Sequence, residues 1–108
     1  MEEIIIEDGV HYFLQELVQK LYKEEYFGFE ETAHKYVDKI YDFIYTELPK
    51  NTHKSTPKRL IKHGKYYTMY KAGKRTAWYV FFDKKDKRFY IEHITNNHVS
   101  KAAFLKGL

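Results

Sequence analysis

Apolar residues recur at Val10, Phe13, Leu14, Leu17, Val18, Leu21 and Tyr22, the spacing that lines one face of an α-helix. Asp8 stands just before this stripe, where a carboxylate accepts from the unpaired amides of a first helical turn. Gly28 interrupts the pattern, and a second stripe follows at Ala33, Tyr36, Val37, Ile40, Ile44 and Leu48. Glu30 and Glu31 suit the positive end of that second helix, and Pro49 ends it because the residue before a proline is driven out of the helical region. The spacing therefore predicts two amphipathic helices over about 9–26 and 30–48, joined by a short link as an antiparallel hairpin.

After Pro57 the period changes. Short runs rich in β-branched and aromatic residues predict strands at roughly 59–62, 66–72, 76–83 and 88–95, with turns at 72–74 and 84–87. The run 4–6 predicts one more strand, at a sheet edge, and 101–108 predicts a last helical turn. The order β-α-α-β-β-β is that of an α+β domain. An N-terminal helical hairpin packs on one face of a small, mostly antiparallel sheet whose central strand holds Trp78 and Val80. Trp78 shares parity with Val80 and Phe82 and belongs beneath the helices; His93 shares parity with Phe89 and Ile91, which makes it a half-buried core position.

Length changes this picture little, since 108 residues hold one domain, 1–108, with one modest core. Charge changes it more. Twelve of the fifteen acids lie in residues 1–48, whereas only Asp83, Asp86 and Glu92 follow Pro49 among a long series of lysines and arginines. The net charge of +4 and a pI near 9.1 suit a nucleic acid or an acidic protein as partner. Aromatic residues are 19% of the chain, with 11 Tyr, more phenols than a small core hides. With no cysteine, disulfide and thiolate chemistry are excluded and a reducing compartment fits. No long apolar run crosses a membrane, and the opening MEEIIIE lacks a signal peptide's basic start, so the expected location is the cytoplasm. The histidine spacings match no zinc motif, and no metal or other cofactor is expected.

The segments 58–71 (KRLIKHGKYYTMYK), 75–80 (RTAWYV) and 91–98 (IEHITNNH) carry a more specific signal. A basic-Leu stretch, a glycine, a Tyr-rich strand, an arginine opening the central strand and a third strand ending in an Asn-basic motif resemble the RelE/ParE toxin superfamily, across about residues 10 to 105. These are small basic bacterial proteins of type II toxin–antitoxin pairs. The resemblance implies a RelE/ParE-like fold and a metal-independent endoribonuclease cleaving ribosome-bound mRNA, neutralised by a cognate acidic antitoxin. Two alternatives stay open: the ParE branch poisons DNA gyrase, and a degenerate member acts only as a nucleic-acid- or protein-binding module.

By that resemblance Arg75 matches the arginine that contacts the scissile phosphate, and His98 falls where the family has a basic Arg or His. Phe104 stands where several members have a catalytic Tyr; having no proton to give, it removes that version of the mechanism, although some branches carry a His and then a Phe here. Tyr67 and Met69 occupy positions where some members have lysines, with Lys65 and Lys71 as substitutes. Metal-free cleavage needs a base for the ribose 2′-OH, an acid for the leaving 5′-oxygen and cations for the phosphorus-centred charge. His98 and His93 are the expected acid–base candidates, and Arg75 with Lys71 or Arg88 the phosphate holders. Lys58, Arg59 and Lys65 belong to a basic run with nonspecific phosphate affinity, and Tyr67 and Tyr79 are expected to stack on bases.

Overall fold

A computed structural model describes residues 3–23, 30–50, 53–74 and 76–97. Arg75, His98, Phe104 and the expected last turn at 101–108 lie outside them. The chain runs β1 (Glu3–Ile6), α1 (Asp8–Lys23), α2 (Glu30–Asp42), a π-helical turn (Phe43–Glu47), β2 (Lys54–Ser55), a 3-10 turn (Lys58–His63), β3 (Tyr66–Lys71), β4 (Ala77–Lys85) and β5 (Arg88–Asn96). It is an α+β fold with one five-stranded sheet in the order β1-β5-β4-β3-β2. Among the described residues no helix is long and apolar enough to cross a membrane.

The first stripe folds as its period predicts except at Phe13, which stays 39% exposed. Val10, Leu14, Leu17 and Val18 are buried, and the start sits one residue earlier than Asp8 suggests: the Glu7 carbonyl accepts from the amides of Val10 and His11, leaving Asp8 in the first turn. The second stripe buries Ala33, Val37, Ile40, Ile44 and Leu48 and adds Phe43. There the helix widens; the Leu48 amide donates to the Phe43 carbonyl five residues back, at 2.9 Å. Trp78, Val80 and Phe82 of β4 meet these helices as expected, joined by Phe89, Ile91 and Ile94 of β5. The Trp78 indole N–H donates to the Tyr36 hydroxyl at 2.9 Å, tying the sheet to α2. His53 closes one end of this core, its ring edge-on to Phe82 at 4.8 Å and its Nε2 donating to the Leu48 carbonyl oxygen at 3.0 Å.

The sheet is mostly antiparallel as expected, with β1 at its edge running parallel to β5, Ile4 beside Phe89 and Ile6 beside Ile91. Two expectations are corrected. Residues 59–62 form no strand. Their sheet position is taken by Lys54–Ser55, paired with Tyr66 and Tyr67, while Pro57 starts a 3-10 turn in which the Leu60 amide bonds back to the Pro57 carbonyl at 2.9 Å. The β4–β5 turn is tighter than four residues: Lys85 pairs with Arg88, and Asp86 takes the left-handed conformation at φ 57° that aspartate tolerates.

A second, smaller core lies on the sheet face away from the helices. Leu60 comes down from the 3-10 turn onto Tyr67, Tyr79 and Phe81, with Ala77 at the margin. Leu60 is the turn's buried residue, a contribution of about 1.5–3 kcal/mol.

Candidate functional site

The starting end of β4 and the finishing end of β5 meet at one rim. Ala77 and Asn97 exchange two hydrogen bonds there: the Ala77 amide donates to Asn97 Oδ1 and the Asn97 amide to the Ala77 carbonyl, both at 3.1 Å. Trp78 pairs with Asn96, and Lys71 of β3 pairs with Ala77 and is exposed at the same end. The register thus brings together the segments that flank Arg75 and His98, residues which themselves lie outside the described set.

Arg88 does not join this rim. It pairs with Lys85 at the hairpin turn. From Ala77 that is eight residues at about 3.3 Å each, or about 26 Å along β4. Its guanidinium reaches Glu3 of β1 at 3.3 Å instead. Arg88 therefore stands at the opposite end of the hairpin from the rim where Ala77 meets Asn97. Lys65 is also at the turn end, its amide donating to Asp83 Oδ1 at 2.8 Å. Lys58 and Arg59 lie exposed on the 3-10 turn, with Lys62.

Tyr67 and Tyr79 are 3% and 4% exposed beneath Leu60. Their rings are 6.2 Å apart and pack on one another, not toward solvent. Burial, and then the neighbouring Tyr79, hold the Tyr67 phenol above its ordinary value. The expectation that these two rings stack on bases is corrected: the turn that was read as a strand covers them.

His93 is also not where parity put it. Phe82 pairs with Ile91 but Phe81 pairs with His93, so Glu92 is an extra residue in β5 and forms a bulge. The slip of one residue sends Ile94, not His93, to the helical core. His93 instead turns to the opposite face, half-buried, where its ring stacks on His63 with centroids 4.0 Å apart and planes at 16°. Both rings pack on Phe81, at 5.7 and 5.8 Å.

Glu92, next to His93 in the chain, interacts with Asp83 of β4. The two carboxyls shift in opposite directions, as a pair sharing one proton does. The bond to Asp83, then burial, then the charges of Asp83 and Glu7, push Glu92 up from 4.5 to about 7. Asp83 is held below its usual value, first by that same bond and also by the Lys65 amide and ammonium, against a desolvation effect of opposite sign.

The face thus sets two imidazoles at the margin of a turn carrying cations, with Glu92, whose carboxyl is pushed up to about 7, next to His93 in the chain. His63, Asp83 and Glu92 escaped the sequence reading. The one available signal was that Asp83 and Glu92 are two of the three acids in the basic half. Among the described residues no three acidic or histidine side chains come together as a metal-ligating group. No protein-family model matches this chain, and neither a curated protein nor a solved structure resembles it significantly.

Proposed function

We propose that the chain is a RelE/ParE-like toxin, an endoribonuclease acting on ribosome-bound mRNA by attack of the ribose 2′-OH and held in check by an acidic antitoxin. The observation that carries this reading is that cations and titratable imidazoles share one sheet face: Lys58, Arg59 and Lys62 on the covering turn, His63 and His93 at its margin. Phosphodiester binding uses the first set and general acid–base catalysis the second. A helical pair followed by an antiparallel meander makes an α+β fold, which is compatible with the reading by analogy alone and adds less than the site.

Expression in bacterial cells, followed by sequencing of message ends on the ribosome, tests it. The expected result is arrest of translation with 2′,3′-cyclic phosphate ends and no effect of EDTA on the purified reaction. Arg75→Ala should lower the rate about 10²–10³-fold if it stabilises the phosphorus-centred charge; a loss of about 10²–10⁴-fold in His98→Gln would mark His98 as a proton-transfer group, and a smaller loss would leave that role to other histidines. Blocked replication with intact message would replace this reading by gyrase inhibition.

A further inference from the structure

Resting on the endoribonuclease reading, we infer that His63 and His93 are the proton-transfer pair of the reaction and that the phosphodiester of single-stranded RNA binds against their ring edges, at the margin of the 3-10 turn. His63 ends the turn and His93 follows the β5 bulge, so two independent backbone features converge to set the rings nearly parallel, 4.0 Å apart. Phe81 backs both, which leaves the stack one apolar side. Neither ring is fully buried.

Two imidazoles this close cannot both be cationic without repulsion. A proton on one ring therefore disfavours a proton on the other, so that one ring can serve as base while its neighbour serves as acid. The charged groups on the surrounding elements are Glu92 on β5, Asp83 on β4, Glu7 after β1, and Arg59, Lys62 and Lys65 on or just after the turn. The acids favour keeping one proton on the pair, and the cations oppose a second.

The reaction balances on these two groups. The neutral imidazole takes the 2′-OH proton as the 2′-oxygen bonds to phosphorus. The P–O5′ bond breaks, and the imidazolium gives its proton to the departing 5′-oxygen. Products are a 2′,3′-cyclic phosphate and a 5′-hydroxyl, and the pair still holds one proton, now on the other ring. The attacking and leaving oxygens stand on opposite sides of phosphorus, a separation comparable to that of the stacked rings.

The test uses the full chain and three substitutions, two at His63 together with His93→Gln. His63→Phe keeps a ring on Phe81 and His93 but carries no proton; His63→Gln removes both. In NMR titration the His93 ring of the wild-type protein should sense the protonation of His63 as a second step, which either variant should lose. Cleavage should fall about 10²–10⁴-fold in His63→Phe with its melting temperature kept, and His63→Phe combined with His93→Gln should lose little more than either alone. If His63→Phe cleaves like wild type, or His93 titrates identically with and without His63, the pair is packing and the inference is overturned while the nuclease reading stands. A wild-type protein that cleaves no RNA overturns both.

Discussion

Gly64 crosses so close to β4 that a Cβ on it would lie 2.7 Å from the Phe82 amide nitrogen and 3.1 Å from the Phe82 carbonyl oxygen. This contact fixes where the 3-10 turn leaves the sheet, and it falls beside the Phe81/Phe82 step where the β5 bulge begins. Both obstacles are backbone, which cannot rotate aside. Gly64 also has φ 145°, a conformation that side chains disfavour. Gly64→Ala should therefore lower unfolding stability by about 3 kcal/mol or more, since strain and overpacking act together. Urea titration measures it, with Gly73→Ala, which meets nothing within 4 Å, as a comparison expected to stay near wild type. Equal midpoints for the two variants would show that the close approach is not part of the folded state.

What the sequence revealed and what it hid follow from the range of the interactions concerned. Val10, Leu14, Leu17 and Val18 and the alternation of Trp78, Val80 and Phe82 are local periodicities, and these positions face the core as expected, although Phe13 of the same stripe stays exposed. The direction of β1 depends on which edge it finds, and nothing in its four residues encodes that. Leu60 fits a strand or a turn equally well over so short a run; Pro57 and the competing Lys54–Ser55 pairing decided it. His93 was misplaced because a bulge is a backbone event, and one extra residue at Glu92 reverses every later position. The site was half legible. The rim register follows from hairpin geometry, whereas His63 meets His93 only through the tertiary docking of the turn.

Glu92 gives the pH dependence of stability a definite sign. Its folded value is raised from 4.5 to about 7, so between those limits the folded state binds more protons than the unfolded one. Its contribution is therefore present at low pH and is lost as pH rises toward 7. Asp83, held low, acts oppositely: its contribution is present above the ordinary aspartate value and is lost as pH falls through the depressed one. Solvent screening at this partly open site reduces the Glu92 effect to about 1 kcal/mol. Glu92→Gln keeps a donor toward Asp83 at every pH. The variant should be more stable than wild type at pH 8 and differ little at pH 5, as read by denaturant midpoints at both values. A difference independent of pH would remove the shared proton.

The indole of Trp78 is buried, and the Tyr36 hydroxyl is its acceptor at 2.9 Å. Tyr36→Phe leaves the ring and removes that acceptor, stranding a buried donor. A loss of about 1–3 kcal/mol is expected, together with a shift of Trp78 emission. Trp78→Phe should cost less in the Tyr36→Phe background than in the wild-type protein, because the stranded N–H is then gone and only the lost ring volume counts. Additive losses in this cycle would mean that the two groups do not interact.

Lys58, Arg59 and Lys62 separate phosphate binding from chemistry. They are exposed on a turn anchored by Leu60 and Gly64, so replacing all three by alanine should leave the melting temperature within a few degrees of wild type. For single-stranded RNA each neutralised phosphate contributes about 0.7 to the slope of log affinity against log salt. Losing three such contacts should lower the slope by about 2 and weaken binding at low salt far more than at high salt. His63→Phe, acting on proton transfer, should leave that slope unchanged while lowering cleavage. Binding measured by fluorescence anisotropy over a salt series distinguishes the two effects. A triple variant with the wild-type slope would mean that RNA does not reach the turn, and the phosphate contacts would then have to be sought at the Lys71 end of the sheet.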